Sequence, residues 1–478
     1  MKFRLPVGLP AWAAAGALIA TSAAAQQVTA DQPVVPLGGV QPAPQLPTAA
    51  ADIYSDGPAS AHLLGDFDGM RTSLHQAGID LRADLISEFA GNPTGGLKQA
   101  GRDAGQFDFG ADFDLGKLGI DPNGVLHVTF NQRWGQSLSQ SAIGNLVSVQ
   151  EIYGGGQDFR LSELSLEQSF LDQHINIKVG RVSTETDFAN SPVLWDHASL
   201  YCQFQNNGIC GTPAGMATDS GYASYPVATW GGRIRVAPTT TTFVQTGIYA
   251  VNPTLADSSN GLKISSSGDT GAFIPIEFGW RPGHAINGLP TDDGPLPGDY
   301  RIGAYYDTSR ATAPLQNLPG RNVPVVTMQS FSGRYGFYVT AAQTLWRVAG
   351  DTPGDTRSFS VFGAVDVGDP QTSLYRVYAE VGAVLKGTFP GRDDDTIGFA
   401  VTDTEVNQSR AEEESMLLSD GVAITGTQTR EVAFELNYAA AVYRGVSIEP
   451  GVQVVLHPDA LNEIPDALVF DLRTAVKF

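Results

Sequence analysis

Alternation of apolar and polar side chains, repeated along most of the chain, is the sequence feature that most constrains the fold. In FDFGADFDL, residues 107–115, three phenylalanines occupy odd positions and three aspartates occupy even positions. Successive side chains of an extended strand point to opposite faces, so this segment predicts a strand with one apolar and one polar face. The same rule predicts sixteen strands: 79–89, 107–115, 124–134, 159–170, 173–182, 228–237, 241–251, 272–282, 299–308, 333–342, 357–367, 375–387, 395–404, 430–440, 446–457 and 467–478.

Two-faced strands occur both in soluble β-proteins and in membrane barrels. Most of the predicted strands are about ten residues long, which is the length at which a tilted strand crosses a bilayer. Charges of both signs occupy the polar faces, and aromatic residues cluster at strand ends, as in the girdles of membrane barrels. These aromatic residues are Trp134, Trp280, Tyr300, Tyr306, Tyr375 and Tyr438. The pattern favours an all-β, transmembrane antiparallel β-barrel of about 16 strands over soluble sandwiches, propellers and jelly rolls.

The connections between predicted strands differ in length. Short turns such as LGKLGIDPN, residues 115–123, contrast with long polar loops at 183–227, 283–298 and 405–429. Outer-membrane barrels have short turns at one end and long loops at the other. We therefore expect these three long loops to lie together at one end.

The N-terminal segments predict export followed by a barrel domain. Residues 1–25 combine a short basic start, an apolar stretch and a small-residue cleavage site, which is typical of a signal peptide. Residues 26–57 are rich in proline and small residues and predict a disordered extension. A short amphipathic helix is expected at 58–78, before the barrel at 79–478.

Composition narrows the classes of function. The net charge of −21 argues against nucleic acid as a partner. The seven histidines have neither metal-ligand spacing nor a neighbouring nucleophile motif, so we expect no enzyme activity, no cofactor and no metal. Cys202 and Cys210 lie in one loop of an exported chain, which favours a local disulfide over a zinc site.

Seven segments, in matching order, resemble the carbohydrate-selective porin (OprB-like) family. They include YCQFQNNGICGTP, YPVATWGGRIRVAP and VSIEPGVQVVLHP. The seven segments are 63–96, 201–213, 225–238, 247–253, 297–309, 384–401 and 446–458. The resemblance covers about residues 63 to 478 and implies a sixteen-stranded outer-membrane barrel through which sugars diffuse into the periplasm.

Strand alternation predicts which charged side chains face the lumen. A channel that favours sugars needs polar groups that replace water, and the fixed donor fork of arginine can bind neighbouring hydroxyls. The candidates are Arg82, Glu88, Arg133, Arg233, Arg235, Glu277, Arg281, Arg301, Arg376, Glu380 and Arg473. For each of them the alternative is an ion pair that stiffens the wall. Arg233 and Arg235 occupy successive inward positions and predict a positive ridge at an eyelet.

The resemblance also implies inward-folded loops that narrow the channel. Loop 183–227 is the candidate, with Trp195 and Asp196 as its channel residues. The alternative for this loop is an external cap braced by the disulfide between Cys202 and Cys210.

The C-terminal stretch LVFDLRTAVKF, residues 468–478, is a two-faced strand that ends on an aromatic residue. A chain that ends inside a strand predicts pairing of the last strand with the first, because only closure removes both sheet edges. Phe478 resembles the aromatic ending that outer-membrane assembly machinery recognises, and we interpret it as an assembly signal.

The sequence thus predicts a porin of the bacterial outer membrane for passive, sugar-selective diffusion. Its expected partners are mono- or oligosaccharides, outer-membrane lipid, the assembly machinery and two further copies in a homotrimer. A general or anion-leaning porin is one alternative, and a soluble exported carbohydrate-binding β-protein is another.

Overall fold

The structure is a computed structural model that describes residues 61–191, 193–196, 201–288, 290–291, 294–312, 330–348 and 357–478. The predicted signal peptide and proline-rich extension lie outside these residues. Among the described helices, none has the length and apolar character needed to cross a membrane.

Sixteen antiparallel strands form a closed barrel in which each strand pairs with its neighbours in sequence order. Its first eight strands are β1 (Ile79–Thr94), β2 (Ala100–Asp114), β3 (Gly124–Gly135), β4 (Phe159–Phe170), β5 (Ile175–Val182), β8 (Thr229–Thr239), β9 (Thr242–Val251) and β10 (Gly271–Trp280). The remaining eight are β11 (Gly298–Thr312), β12 (Ser330–Arg347), β13 (Ser358–Gly368), β14 (Tyr375–Lys386), β15 (Thr396–Val406), β16 (Arg430–Tyr443), β17 (Val446–Leu456) and β18 (Ala467–Lys477). All sixteen predicted strands are confirmed, and the closed barrel excludes the sandwich, propeller and jelly-roll alternatives.

The other elements are short. A two-stranded ribbon, β6 (Leu194–Asp196) with β7 (Tyr201–Cys202), lies between β5 and β8. The helices are α1 (Met70–Gln76), α2 (Asn207–Cys210), α3 (Ala214–Asp219), α4 (Gln408–Ser419) and the π-helix Ser139–Ile143. Single 3₁₀ turns occur at Thr184–Thr186, Pro253–Ala256, Ser258–Asn260 and Pro458–Ala460.

The last strand closes the barrel against the first, as predicted. Asp84 pairs with Lys477 and Phe89 pairs with Leu472 across the β1–β18 seam. Phe478 extends this pairing, since its backbone N–H donates to Ala83 O at 2.9 Å. The seam therefore leaves neither terminal strand with an unpaired edge.

Alternation along each strand separates an apolar outer face from a polar inner face. Leu472 is 43% exposed, whereas the adjacent Arg473 is 1% exposed. The outer face resembles the lipid-contacting band of membrane barrels, where apolar side chains face hydrocarbon. The inner face is covered largely by loops that fold into the barrel.

The two ends of the barrel differ in their connections. We call the end that holds Phe478 the turn end, because the chain makes tight two-residue turns there at 240–241 and 444–445. The N-terminal segment contacts the same end, where Leu63 N–H donates to Lys477 O. The opposite end, the loop end, carries the connections 136–158, 183–228, 252–270, 407–429 and 457–466. The expectation that 283–298 joins the long loops is wrong, because this segment follows the eighth barrel strand and therefore emerges at the turn end.

The N-terminal helix is shorter than the predicted range 58–78. Within the described residues of that range, only Met70–Gln76 is α-helical. Asp68 and Gly69 adopt positive φ angles of 55° and 90°, which a right-handed helix does not allow, so the helix begins after them. Arg71 holds this segment against the turn end by donating to Phe478 O at 2.6 Å and Leu81 O at 3.1 Å.

Candidate functional site

The loop that joins β5 to β8, residues 183–228, folds into the barrel and crosses it. At its far point, Gln205 N–H and Asn206 N–H each donate to the carboxylate of Glu435 at 2.8 Å. Glu435 belongs to β16, on the opposite side of the barrel from β5 in the strand order. The tip of the loop therefore lies inside the barrel, against the wall opposite the strand from which the loop begins.

A disulfide and an apolar contact hold the tip of this loop. Cys202 and Cys210 are joined, with their Cα atoms 5.7 Å apart. Phe204 and Ile209 pack with them against lumen-facing apolar side chains of β13 to β15, including Phe362. Burial of these side chains stabilises the inward position of the loop.

A second inward loop, residues 136–158, was not predicted. Its Leu138, Ile143 and Val149 pack on apolar side chains of the inner face near the loop end. These wall residues are Ala90, Ala433, Val455, Ala467 and Val469. The sequence contained a signal for this loop, because apolar residues at inward positions of β1 and β16 to β18 need a cover other than water.

Carboxylates of the wall accept backbone N–H groups from both inward loops. Glu431 accepts from Leu146 at 2.8 Å and Val147 at 3.2 Å. Three further wall carboxylates act in the same way on loop 183–228: Asp366 accepts from Met216 at 2.9 Å, Asp307 from Gly221 at 2.7 Å and Glu277 from Ala189 at 3.1 Å. Hydrogen bonds to an ionised acceptor are stronger than neutral ones, so these contacts fix both loops to the wall.

Arg473 lies buried beneath the inward loops. Its guanidinium group donates to Phe204 O at 3.0 Å, to Cys202 O and to Glu449 at 2.5 Å. Glu88 and Glu151 lie within 3.9 Å and 3.6 Å of the same group. Burial raises the pKa of Glu151, which belongs to loop 136–158, to about 8. Arg473 is thus engaged in an ion pair with Glu449, and Glu88 lies at the edge of ion-pair distance from it.

Arg82 and Arg233 belong to a continuous chain of buried charges along β1 to β5 and β8. Arg82 donates to Asp112, which also contacts His127 Nδ1 at 2.7 Å. Arg233 Nε donates to Asp187 of loop 183–228 at 2.8 Å. The other members of this chain are Lys178, Glu163 and Glu167. Arg233 is therefore paired with carboxylates and differs in this respect from its predicted partner in a ridge, Arg235.

Three more predicted lumen residues are buried by protein contacts. Arg133 donates to Gln106 at 2.6 Å and lies over the ring of Tyr225. Glu380 accepts from Tyr378 at 2.9 Å. Glu277 accepts from the Gln245 amide at 2.8 Å and from the Tyr338 hydroxyl at 2.9 Å, besides its contact with the loop.

Arg235, Arg281 and Arg301 remain partly accessible on the inner wall of β8 to β11. Arg301 donates to both oxygens of Asp299 at 2.9 Å and 2.7 Å, and to Asn190 of the inward loop at 2.8 Å. The side chains of Arg301 and Asp299 are 12% and 25% exposed. We call these three arginines and Asp299 the open strip. It lies in the turn-end half of the barrel, beyond the inward loop.

Arg376 lies outside the lumen, contrary to its predicted position. A shift in strand register between Tyr375 and Val377 reverses the alternation at the start of β14. Arg376 is 54% exposed and pairs at 3.2 Å with Glu405, whose strand position faces outward. The same shift turns Tyr375 inward, where it packs against Val147, so Tyr375 is not a girdle residue.

The two predicted channel residues of the loop itself lie in the ribbon. Trp195 and Asp196 belong to β6, and Asp196 pairs with Tyr201 of β7. Their role in the channel stays a prediction.

The two inward loops together form a constriction in the lumen. On its loop-end side lies a cavity of about 770 Å³. Both inward loops and the wall line it, with polar and aromatic side chains that include Arg133, Glu151, Tyr153, Glu185, Tyr225 and Arg334. The lumen therefore combines a loop-end cavity, a constriction formed by the two inward loops and the open strip on the turn-end side.

Comparisons with known proteins agree with this architecture. Residues 98–478 match the model of the family described as carbohydrate-selective porin, OprB family. Porin B of Pseudomonas aeruginosa is 30% identical over 445 residues, which cover 90% of this chain and 93% of that protein. The putative porin QuiX of Acinetobacter baylyi is 29% identical over 439 residues, covering 87% of this chain and 93% of the relative. The high-pH structure of Pseudomonas putida OprB aligns with a TM-score of 0.78 and 31% identity, covering 88% of this chain and 99% of that one.

Proposed function

Because this chain belongs to the OprB family of carbohydrate-selective porins, we propose that the sugars it admits pass along the open strip of Arg235, Arg281 and Arg301. The protein is a porin of the bacterial outer membrane, and carbohydrates diffuse passively through its barrel. Porins are channels and not enzymes.

This proposal rests on the accessibility of the three arginines. Arg133 borders the loop-end cavity but is only 4% exposed. The remaining predicted lumen charges that the structure describes are buried beneath the loops, engaged in ion pairs or placed on the outer face. Guanidinium donors and the Asp299 carboxylate can replace the water that a sugar hydroxyl loses at the constriction. Both inward loops restrict the path, so a sugar has to pass close to the wall. Binding there has to be weak, because a solute must also leave.

Substitution R301Q tests the open strip. We expect the glucose concentration that blocks half of the ion current in planar bilayers to rise by about tenfold, since a hydrogen bond to a charged group is lost. The matched control is R376Q, which removes an arginine that strand alternation places in the lumen and the structure places outside. Equal shifts in the two variants would contradict the assignment, and an absence of sugar block in the unmodified protein would contradict the role of the strip altogether.

The position of Phe478 supports its proposed role as an assembly signal. The Phe478 ring lies edge-on to Phe107 with centroids 6.3 Å apart, on the outer face at the turn end. Deletion of Phe478 should lower the amount of heat-modifiable barrel recovered from outer membranes, whereas F478W should preserve it. Normal recovery of the deletion variant would argue against an assembly role.

Two further proposals, export of the chain and its assembly into a homotrimer, rest on the sequence alone. Residues 1–25 are proposed as the signal that delivers the chain to the periplasm, and N-terminal sequencing of the mature protein tests this. The proposed homotrimer is tested by native mass spectrometry of protein extracted in mild detergent.

A further inference from the structure

Two arginines of the open strip share one aromatic ring. The guanidinium carbon of Arg235 lies 4.5 Å from the ring centroid of Phe243, and that of Arg281 lies 5.0 Å from it. Phe243 is buried and faces inward from β9. A Cβ atom at Gly279 would collide with this ring, so glycine on the neighbouring strand provides the space that the ring occupies.

Neither of these arginines has a carboxylate within ion-pair distance in the part of the chain that the structure describes. Arg235 Nε donates to the neutral amide oxygen of Gln245 at 2.9 Å. Arg281 Nε is buried and has no hydrogen-bond partner among the described residues. By contrast, Arg82, Arg233 and Arg301 each contact at least one carboxylate.

The aromatic ring stabilises the two cations without cancelling their charge. A cation over a ring face is attracted by the ring quadrupole, but the ring carries no net charge. The two carboxylates that interact electrostatically with Arg281 have other partners. Asp299 accepts from two donors of Arg301, and Glu277 accepts from Gln245, Tyr338 and the backbone N–H of Ala189. The field of Arg235 and Arg281 is therefore available to a mobile solute.

We infer that Arg235 and Arg281 form a subsite for the carboxylate of an acidic sugar, so that the channel admits monocarboxylated sugars in preference to neutral ones. This inference rests on the proposed passage of solutes along the open strip. A planar guanidinium group matches the two oxygens of a carboxylate, and the half-buried setting strengthens that contact relative to water. Arg301 and Asp299 lie beside the subsite and can bind the hydroxyls of the same solute.

The local charges favour a singly charged solute over a doubly charged one. Three guanidinium groups, of Arg235, Arg281 and Arg301, stand beside the two carboxylates of Asp299 and Glu277. Arg233 also lies near Arg235, but its charge is matched by its own carboxylate partners, Asp187 and Glu167. One excess positive charge is balanced by one carboxylate, whereas a phosphate dianion would leave the site negative. The subsite also lies on the turn-end side of the inward loop, where it would draw an anion through the constriction.

Block of the ion current by gluconate and by glucose tests the subsite. The full-length protein is measured in planar bilayers at low ionic strength, where charge interactions are least screened. We expect the half-blocking concentration of gluconate to be about tenfold lower than that of glucose, because gluconate adds a charged hydrogen bond. R235Q and R281Q should each bring the half-blocking concentration of gluconate close to that of glucose measured on the same variant. The matched control, R376Q, should behave like the unmodified protein.

The outcomes separate this inference from the proposed function. If glucose blocks the current and gluconate blocks no better, the subsite is overturned while the sugar channel stands. If R235Q and R281Q weaken both solutes equally, the arginines serve sugars in general and the carboxylate subsite is again overturned. If neither solute blocks the current, the proposed passage along the strip fails as well. Only protein that shows the heat-modifiable gel shift is measured, so that misfolded variants are left out. The comparison of gluconate with glucose on unmodified protein does not depend on any variant.

Discussion

The substitution E435A should release the tip of loop 183–228 from the wall and raise the single-channel conductance. Glu435 accepts two backbone N–H groups of the tip, those of Gln205 and Asn206, and also the side-chain amide of Asn437 at 2.9 Å. Each buried donor left without an acceptor costs about 1–3 kcal/mol. The loss at the two backbone groups alone is therefore about 2–6 kcal/mol, which is comparable to the apolar contacts that hold the tip. Planar-bilayer recordings should show larger and noisier current steps, together with weaker block by glucose.

A graded series makes this expectation specific. E435Q retains one acceptor oxygen and should give an intermediate conductance, because an amide can satisfy one of the donors but presents its own NH₂ group to the other. The matched control is E405A, which removes a carboxylate from the outward-facing ion pairs with Arg376 and Arg430. A conductance increase of similar size in E405A, or none in E435A, would show that wall carboxylates do not hold the loop.

The substitution L472R should destabilise the assembled barrel. Leu472 lies in the middle of β18, on the outer face, and pairs with Phe89 and Pro450 of the neighbouring strands. An arginine facing lipid near the midplane of the bilayer costs about 2–4 kcal/mol. The free energy of unfolding should fall by that amount, as measured by reversible folding into lipid vesicles and followed by the heat-modifiable gel shift.

The adjacent position provides the contrast for this experiment. Arg473, one residue further, faces inward and is satisfied by Glu449 and two backbone carbonyls, so the same residue type is native there. L472M, which keeps an apolar side chain of similar volume, is the control and should fold as the unmodified protein does. Equal stability of L472R and L472M would contradict the assignment of this face to lipid.

Strand alternation predicts most of the fold, because the wall of a barrel has only two environments, the outer face toward lipid and the inner face toward the lumen. Each of the sixteen strands was found from its period, and the pairing of 467–478 with 79–89 followed from the need to remove both edges. The failures have local causes. One shift of register reversed Tyr375 and Arg376, and the helix stopped short of its predicted range because Asp68 and Gly69 take positive φ angles.

The candidate site was predictable only in part, because the face of a strand is a local property and accessibility is not. Alternation placed Arg133, Glu88 and Arg473 on the inner face, but it could not show that two loops cover them. The contacts that hold the two loops to the wall join residues far apart in sequence, such as Gln205 with Glu435 and Leu146 with Glu431. These contacts depend on the path of a whole loop across the barrel, which alternation along one strand does not encode.

The sequence by itself therefore determined an all-β barrel with an apolar outer wall, a charged inner wall and a closing strand, since period and strand length follow directly from residue order. The tertiary structure alone decided which inner charges a solute can reach. Burial by the loops and pairing with wall groups take Arg82, Arg133, Arg233 and Arg473, half of the predicted lumen arginines, out of a solute's reach. Arg235 and Arg281 instead lie over the ring of Phe243 and have no carboxylate partner among the described residues. That outcome depends on contacts between distant segments, which alternation along a single strand does not encode.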